Sequence, residues 1–255
     1  MDGRKRVLVT GAAGRVGTAI APALADRHDL VQTDVRPQRG IDALDLLDFD
    51  AVRAAAEGVD AIVHMAILSD RVNQHLSMQE RADRRMTMNV LSTQHVFEAT
   101  RQAGARQVVF FSSLLTILGA PRRQRIERNP RPRPSNLYAC TKLFGEHLAD
   151  LYTRTNDISI ICARLGQPFP IDDIGFEEGG QHRIGSAESG ICLAMEDVAR
   201  FVLCALDAEH AGFEVMNLVS ANEVEKVDLT AAAEIGYRPG RHFDRKGRMR
   251  VLDDA

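Results

Sequence analysis

The sequence predicts an α/β fold: a doubly wound parallel sheet with helices on both faces. Three observations carry this. Short apolar runs alternate with longer helix-period segments over the first two-thirds of the 255 residues, and such alternation marks strand–helix–strand units. The apolar runs are nearly continuous, as expected of strands buried on both faces. The first run leads directly into a glycine-rich turn and a helix, a junction suited to phosphate groups.

RVLVT (Arg6–Thr10) reads as the first strand and Arg15–Arg27 as the first helix. Pro22 falls inside that helix, where it removes a hydrogen bond and predicts a kink. LVQTD (Leu30–Asp34) is the second strand, Asp48–Glu57 a helix, and DAIVHMA (Asp60–Ala66) the next strand. A long helix fills most of Glu80–Ala103. QVVFFSS (Gln107–Ser113) is a strand, Leu137–Arg154 a helix and DISIICARL (Asp157–Leu165) a further strand. After Gly166, QPFPIDDIGFEEGGQHRIGS is rich in Gly, Pro and acidic residues and reads as loop. A helix over Met195–Ala208, a strand over Phe213–Leu218 and a short helix over Val227–Ile235 follow. The polar tail from Arg238 reads as partly disordered.

Composition narrows the function. A formal net charge of −3, with 45% hydrophobic and 26% charged residues, describes an ordinary soluble globular protein. A nucleic-acid-binding domain usually shows a strongly basic balance, which is absent. No run approaches the roughly 20 apolar residues of a membrane span. The polar start MDGRKR leads straight into a strand, so no cleavable signal is expected. Cys140, Cys162, Cys192 and Cys204 form no CxxC pair, which points to reduced thiols in a cytoplasmic protein. The eight histidines are dispersed, and no metal site is expected.

Between the first strand and helix, GAAGRVG supplies Gly11, Gly14 and Gly17, with Arg15 and Val16 opening the helix. Glycines there let the backbone approach a pyrophosphate, and the helix N-terminus offers free N–H groups. Asp34 ends the second strand, 23 residues after Gly11. Its carboxylate suits ribose hydroxyls and repels a 2′-phosphate, favouring NAD over NADP. Arg36, two residues on, leaves NADP open. These features together predict a Rossmann-type core.

Tyr138-Ala-Cys-Thr-Lys142 sets a phenol and an ammonium on one face of a helix. A phenol ionises near pH 10 and is a poor base at neutrality. A neighbouring ammonium favours the phenolate, which can then take a proton from a substrate alcohol while hydride leaves the same carbon. The chain has only four lysines and uses arginine elsewhere. Arginine, with its very high pKa and delocalised charge, is not an equivalent partner. Upstream, FFSS ends its strand with Ser112 and Ser113, either of which can hold the reacting oxygen.

These motifs, with Asp45-Leu46, HMA (His64–Ala66) and Asn89, resemble the extended short-chain dehydrogenase/reductases, the NAD-dependent epimerase/dehydratase family. The resemblance implies that Asp45 and Leu46 border the adenine and that Met65 and Ala66 line the cofactor. It also implies that Tyr138 and Lys142 touch that cofactor and that Asn89 supports the catalytic helix. Gln167, in ARLGQPF, resembles the segment near the nicotinamide. MEDVARFV (Met195–Val202) and AEIGYRPG (Ala233–Gly240) are similar to the family's late helix and final turn. The length and the RPSNLYACTKLFGEHLADLY stretch look most like uronate dehydrogenases, which implies a substrate contact from Ser69 and makes Arg183 a candidate for their substrate-clamping arginine. Departures are Leu114-Leu115, where those enzymes carry Asn-His, and the lack of a clear counterpart for their clamping arginine. Family members usually pair through helices equivalent to Glu80–Ala103 and Leu137–Arg154, which implies a homodimer.

The expected organisation is one structural domain, with a dinucleotide-binding core over 1–166 and a small substrate-binding region over 167–255. The expected activity is hydride exchange between NAD and the hydroxyl or carbonyl of a sugar-like compound or sugar acid. A nucleotide-sugar epimerase with transient redox and a non-catalytic NAD(P) sensor are the rivals. Six arginines between Arg122 and Arg133 read either as a rim loop that attracts an anionic substrate or as a solvated basic loop. No aromatic residues interleave them for base stacking, so nucleic acid is not an expected partner.

Overall fold

The computed structural model describes residues 3–68, 75–119, 125–169, 187–208 and 212–252. Its main sheet holds β1 (Arg6–Thr10), β2 (Asp29–Asp34), β3 (Asp42–Ala43), β4 (Ala61–His64), β5 (Gln107–Ser113), β6 (Ser159–Leu165) and β9 (Phe213–Leu218). The strand order is β3-β2-β1-β4-β5-β6-β9, and every pairing is parallel. The chain builds outward from β1 through β2 to β3, then crosses to β4 on the other side. The crevice at that reversal, between β1 and β4, is where such sheets bind ligands.

Successive strand residues point to opposite faces, so each strand feeds two cores. Val109 and Phe111 of β5 and Ile161 and Ala163 of β6 pack with α1 (Arg15–Ala25) and α6 (Met195–Asp207). Their neighbours Val108, Phe110, Ile160 and Cys162 pack under α2 (Phe49–Ala56), α4 (Ser92–Ala103) and α5 (Leu137–Thr155). Both β9 and α6 lie beyond residue 166 and still complete the main sheet and its core.

The long helix expected over Glu80–Ala103 is interrupted. It comprises α3 (Met78–Met86), a π-helical turn (Thr87–Leu91) and then α4. Ser77 caps it: its hydroxyl accepts from Glu80 N–H, and the Glu80 carboxylate accepts from Ser77 N–H. Pro22 is tolerated because Thr18, whose carbonyl loses its partner, is exposed, as is Pro22 itself.

Two expectations are corrected. Gln167–Phe169, read as loop, is strand β7 and pairs in parallel with β8 (Cys192–Ala194); the remainder of that stretch, 170–186, lies outside the described residues. The tail is ordered over its described residues, to 252: β11 (Arg241–Phe243) pairs with β12 (Met249–Val251) and β10 (Ala221–Asn222). Its anchor is the buried Asp197 on α6, whose carboxylate accepts from Ser220 Oγ (2.5 Å), Gly240 N–H (2.6 Å) and Arg241 N–H (3.2 Å). The short helix α7 spans only Thr230–Glu234.

The arginine-rich stretch is described from residue 125. Ile126 bridges Val227 in parallel fashion, Arg128 pairs with Glu234, and Arg125 approaches Asp228 at 3.9 Å. Arg133 and Ser135 bond back to Thr116 and Leu115. This part of the loop therefore straps the C-terminal segment, and Arg125 and Arg128 already have acidic partners. Arg122 and Arg123 lie outside the described residues.

Candidate active site

The glycine turn is shaped for close approach. Gly11 has φ +77°, and a Cβ there would meet Ala66 backbone atoms at 2.8 Å. A Cβ at Gly17 would meet the Ala12 carbonyl oxygen at 2.6 Å, so helix α1 can sit tight against the turn. Gly14 is the N-cap of α1 and offers no side-chain cap, which leaves N–H groups of the first turn directed at the crevice. Val16, half-buried, packs on the core below, while Arg15 donates to the Pro168 carbonyl at 2.6 Å and ties the turn to β7.

At the end of β2, the buried Asp34 carboxylate accepts from Ala13 N–H (3.2 Å) and Arg36 N–H (2.9 Å). The Arg36 side chain stands 3.6 Å away. Asp34 thus closes over the glycine turn at the edge of the crevice. The Asp45 carboxylate is exposed and accepts from Leu47 N–H; Leu46 is buried, its carbonyl held by His95. Met65 is buried after β4, with its N–H on the Thr10 carbonyl. A cradle that excludes side chains, a helix N-terminus and a carboxylate at the neighbouring strand end fit a dinucleotide.

Asn136 caps α5, its side chain accepting from Ala139 N–H at 2.8 Å. The first turn carries half-buried Tyr138, and the second carries Lys142, only 2% exposed. The Lys142 ammonium lies 4.8 Å over the Phe110 ring centre and 5.9 Å from that of Tyr138. Gly145 permits this, because a Cβ there would meet the Phe110 ring at 2.4 Å. Burial drives the Lys142 ammonium down to about 7, slightly opposed by Cys162. Burial pushes the Tyr138 phenol up to about 12, and the charge of Arg85 opposes the rise.

Asn89 sits in the π-helical turn. Its Oδ1 accepts from Leu68 N–H (3.0 Å), and its Nδ2 donates to Thr141 Oγ1 (3.1 Å), which donates to the Tyr138 carbonyl. One amide therefore joins the segment after β4 to the helix bearing Tyr138 and Lys142. A π-turn at such a place is a common mark of a functional site.

Sequence reading left Ser112 and Ser113 open, and the strand's alternation separates them. Ser112 turns into the layer beneath α5 and donates to Glu146 Oε1 at 2.5 Å. Glu146 in turn accepts from Nε and Nη2 of Arg164, at 2.8 and 2.7 Å, in a buried pair. Ser113 is the last residue of β5, and its oxygen accepts from Leu115 N–H at 3.2 Å. Gln167 is half-buried in β7. Ser69 and Arg183 lie outside the described residues.

Three features escaped the sequence reading. His64 is wholly buried between Thr10 Oγ1 (2.8 Å) and Thr93 Oγ1 (3.2 Å), and Thr93 donates to the Asn89 carbonyl. Because Thr93 spends its hydrogen on Asn89, His64 donates from Nε2 and accepts at Nδ1. Phe110 lies between His64 and Lys142. Arg85, one turn before Asn89, is the charge that acts on Tyr138.

The signature of the NAD dependent epimerase/dehydratase family matches residues 7–170. An L-arabinose 1-dehydrogenase (NAD(P)(+)) of Haloferax volcanii is 29% identical, covering 92% of this chain and 96% of its own length. A uronate dehydrogenase of Pseudomonas syringae pv. tomato is 28% identical over 92% of this chain and 81% of its own. The crystal structure of a glucuronic acid dehydrogenase from Chromohalobacter salexigens superposes with a TM-score of 0.77 at 30% identity, covering 92% and 84% of the two chains. The Rossmann-type sheet, the nicotinamide cofactor and the enzymatic character expected from the sequence agree with these relatives, and the chain belongs to the NAD dependent epimerase/dehydratase family.

Proposed function

We propose that this protein oxidises a sugar or sugar acid at a hydroxyl-bearing carbon, with NAD as the acceptor. The observation that carries this reading is the placement of Tyr138 and Lys142 on one helix face, held by Asn89, at the edge where the glycine turn opens. The dehydrogenases of arabinose and uronates among its relatives support the substrate class.

Gly11, Gly14 and Gly17 would cradle the pyrophosphate of NAD, with Asp34 on the adenosine ribose, Asp45 and Leu46 near the adenine, and Met65 and Ala66 along the cofactor. Bound there, NAD supplies the hydride acceptor. Tyr138 takes the proton of the substrate hydroxyl as general base, and Ser113 holds that oxygen against it. Lys142 supplies positive charge that favours the phenolate. Asn89, through Thr141, keeps the helix in register. Ser69, together with Gln167 and Arg183 in the region from 167 onward, would hold the rest of the substrate. Ser112 has no part in this scheme, because its hydroxyl belongs to the Glu146–Arg164 pair.

Leu137, Phe144 and Leu151 recur every seven residues on α5 and are 38%, 41% and 44% exposed, with Met86 and Leu91 exposed nearby. This apolar stripe supports a homodimer, the second copy packing along α5. All four cysteines are free thiols, which suits a reducing, cytoplasmic setting.

The test is a screen of sugars, sugar acids and sugar nucleotides with NAD and NADP, read by reduced nicotinamide absorbance. Stable NADH accumulation with a free sugar or sugar acid supports the reading. Conversion of a sugar nucleotide without net reduction refutes it.

A further inference from the structure

The face of α5 that meets the sheet is nearly smooth. Its buried residues are Ala139, Thr141, Lys142, Gly145, Glu146 and Ala149, none of them a large apolar side chain. Interdigitating side chains are what fix a packed helix, so a face this flat can slide or turn at little cost. Beneath it, Ser112 of β5 and Arg164 of β6 are partners across the parallel ladder. That register sets their side chains next to each other, on the face that also carries Phe110 and Cys162. Glu146 reaches both: Arg164 Nε and Nη2 donate to its two oxygens at 2.8 and 2.7 Å, and Ser112 Oγ donates to Oε1 at 2.5 Å. A guanidinium forked onto a carboxylate has one good geometry, in distance and in plane. The Arg164 and Glu146 side chains are only 6% and 4% exposed. Burying two charges is expensive, and apolar residues of similar volume would serve stability as well or better.

We propose that Glu146 and Arg164 are positioning residues for the catalytic centre, a clamp that fixes the rotation and height of α5 over the carboxyl ends of β5 and β6. This rests on the dehydrogenase reading above. Glu146 lies one turn beyond Lys142 and two beyond Tyr138, on the same side of the helix. Arg164 stands beside Ser112, whose neighbour Ser113 ends β5. The clamp thus joins the helix that carries the base to the strand end that carries the hydroxyl holding the substrate oxygen. Asn89 holds the same helix from the side through Thr141, at 3.1 Å. A misplacement of about 1 Å at reacting atoms can cost about 100-fold in rate, so the position of α5 bears directly on turnover. Ser112 adds one hydrogen bond to a pair already fixed at both oxygens, and the clamp does not depend on it.

The test uses the full chain, NAD and the best substrate from the screen. Glu146→Leu and Arg164→Met are combined in a Ser112→Ala background, so that no buried polar partner is orphaned, and compared with Ser112→Ala alone. Tm should hold or rise and NAD affinity should not change. Turnover should nonetheless fall, kcat by at least about tenfold with little change in KM. Arg164→Lys in the wild-type chain keeps the charge, loses the fork and should lower kcat by a smaller factor; it decides the matter if the combined variant does not fold. Hydrogen exchange over residues 137–146, read without substrate, should quicken in both. Unchanged kcat in a folded variant would overturn the proposal. If no substrate yields NADH even with the wild-type protein, the dehydrogenase reading fails and exchange decides alone: quickened exchange supports the clamp, and unchanged exchange refutes it.

Discussion

The Lys142 ammonium stands 4.8 Å over the centre of the Phe110 ring, buried beneath the helix that carries it. That location costs stability. Burial lowers its pKa from 10.5 to about 7, so between those values the unfolded chain binds a proton that the folded chain releases. Stability therefore rises with pH across that window, and the penalty is complete at and below about pH 7. Lys142→Met, measured without coenzyme, should raise Tm relative to wild type, more at about pH 6 than at about pH 9. An equal shift at both would contradict the assignment.

His64 gives a dependence of the same sign at lower pH. Its pKa falls from 6.5 to about 3 through burial and the Lys142 charge. Stability from keeping it neutral is present above about 6.5 and is lost as pH falls toward 3. His64→Phe leaves the Thr10 and Thr93 hydroxyls without their ring partner, costing roughly 1–3 kcal/mol at neutral pH. The variant should nonetheless lose less stability than wild type between about pH 7 and pH 5. Urea midpoints at the two values check this.

The paired serines should separate cleanly. Ser112→Ala removes a hydrogen bond to a buried carboxylate and should cost about 1.5–3 kcal/mol, with kcat retained. Ser113→Ala should leave Tm almost unchanged and lower kcat about 100-fold. The reverse pattern would move the catalytic role to Ser112.

If a second copy covers the α5 stripe, Phe144→Glu places a charge in the interface and should yield a monomer by light scattering at micromolar concentration. A wild-type protein that is already monomeric removes the dimer.

Much of this architecture was legible in the chain. The apolar runs at β1 and β5 have the boundaries their composition implies, because both faces of each are buried. The glycine turn and the Tyr138–Lys142 spacing are local patterns, readable without a third dimension. What was hidden depends on contacts between distant segments. Asn89 meets Thr141 only because two helices lie side by side, and a π-turn has no sequence period of its own. Choosing between Ser112 and Ser113 required knowing which strand face lies under α5. The tail reads as polar and loose, yet Asp197, more than forty residues earlier, supplies the buried acceptor that orders Gly240 and Arg241.

The central claim is that the Tyr138 hydroxyl is the proton acceptor in an NAD-linked oxidation, and Tyr138→Phe tests it most directly. NADH formation and NAD binding are measured on the same preparation, with the best substrate from the screen. The prediction is that binding persists while turnover falls by at least about 100-fold. A variant that reduces NAD at the wild-type rate would contradict it.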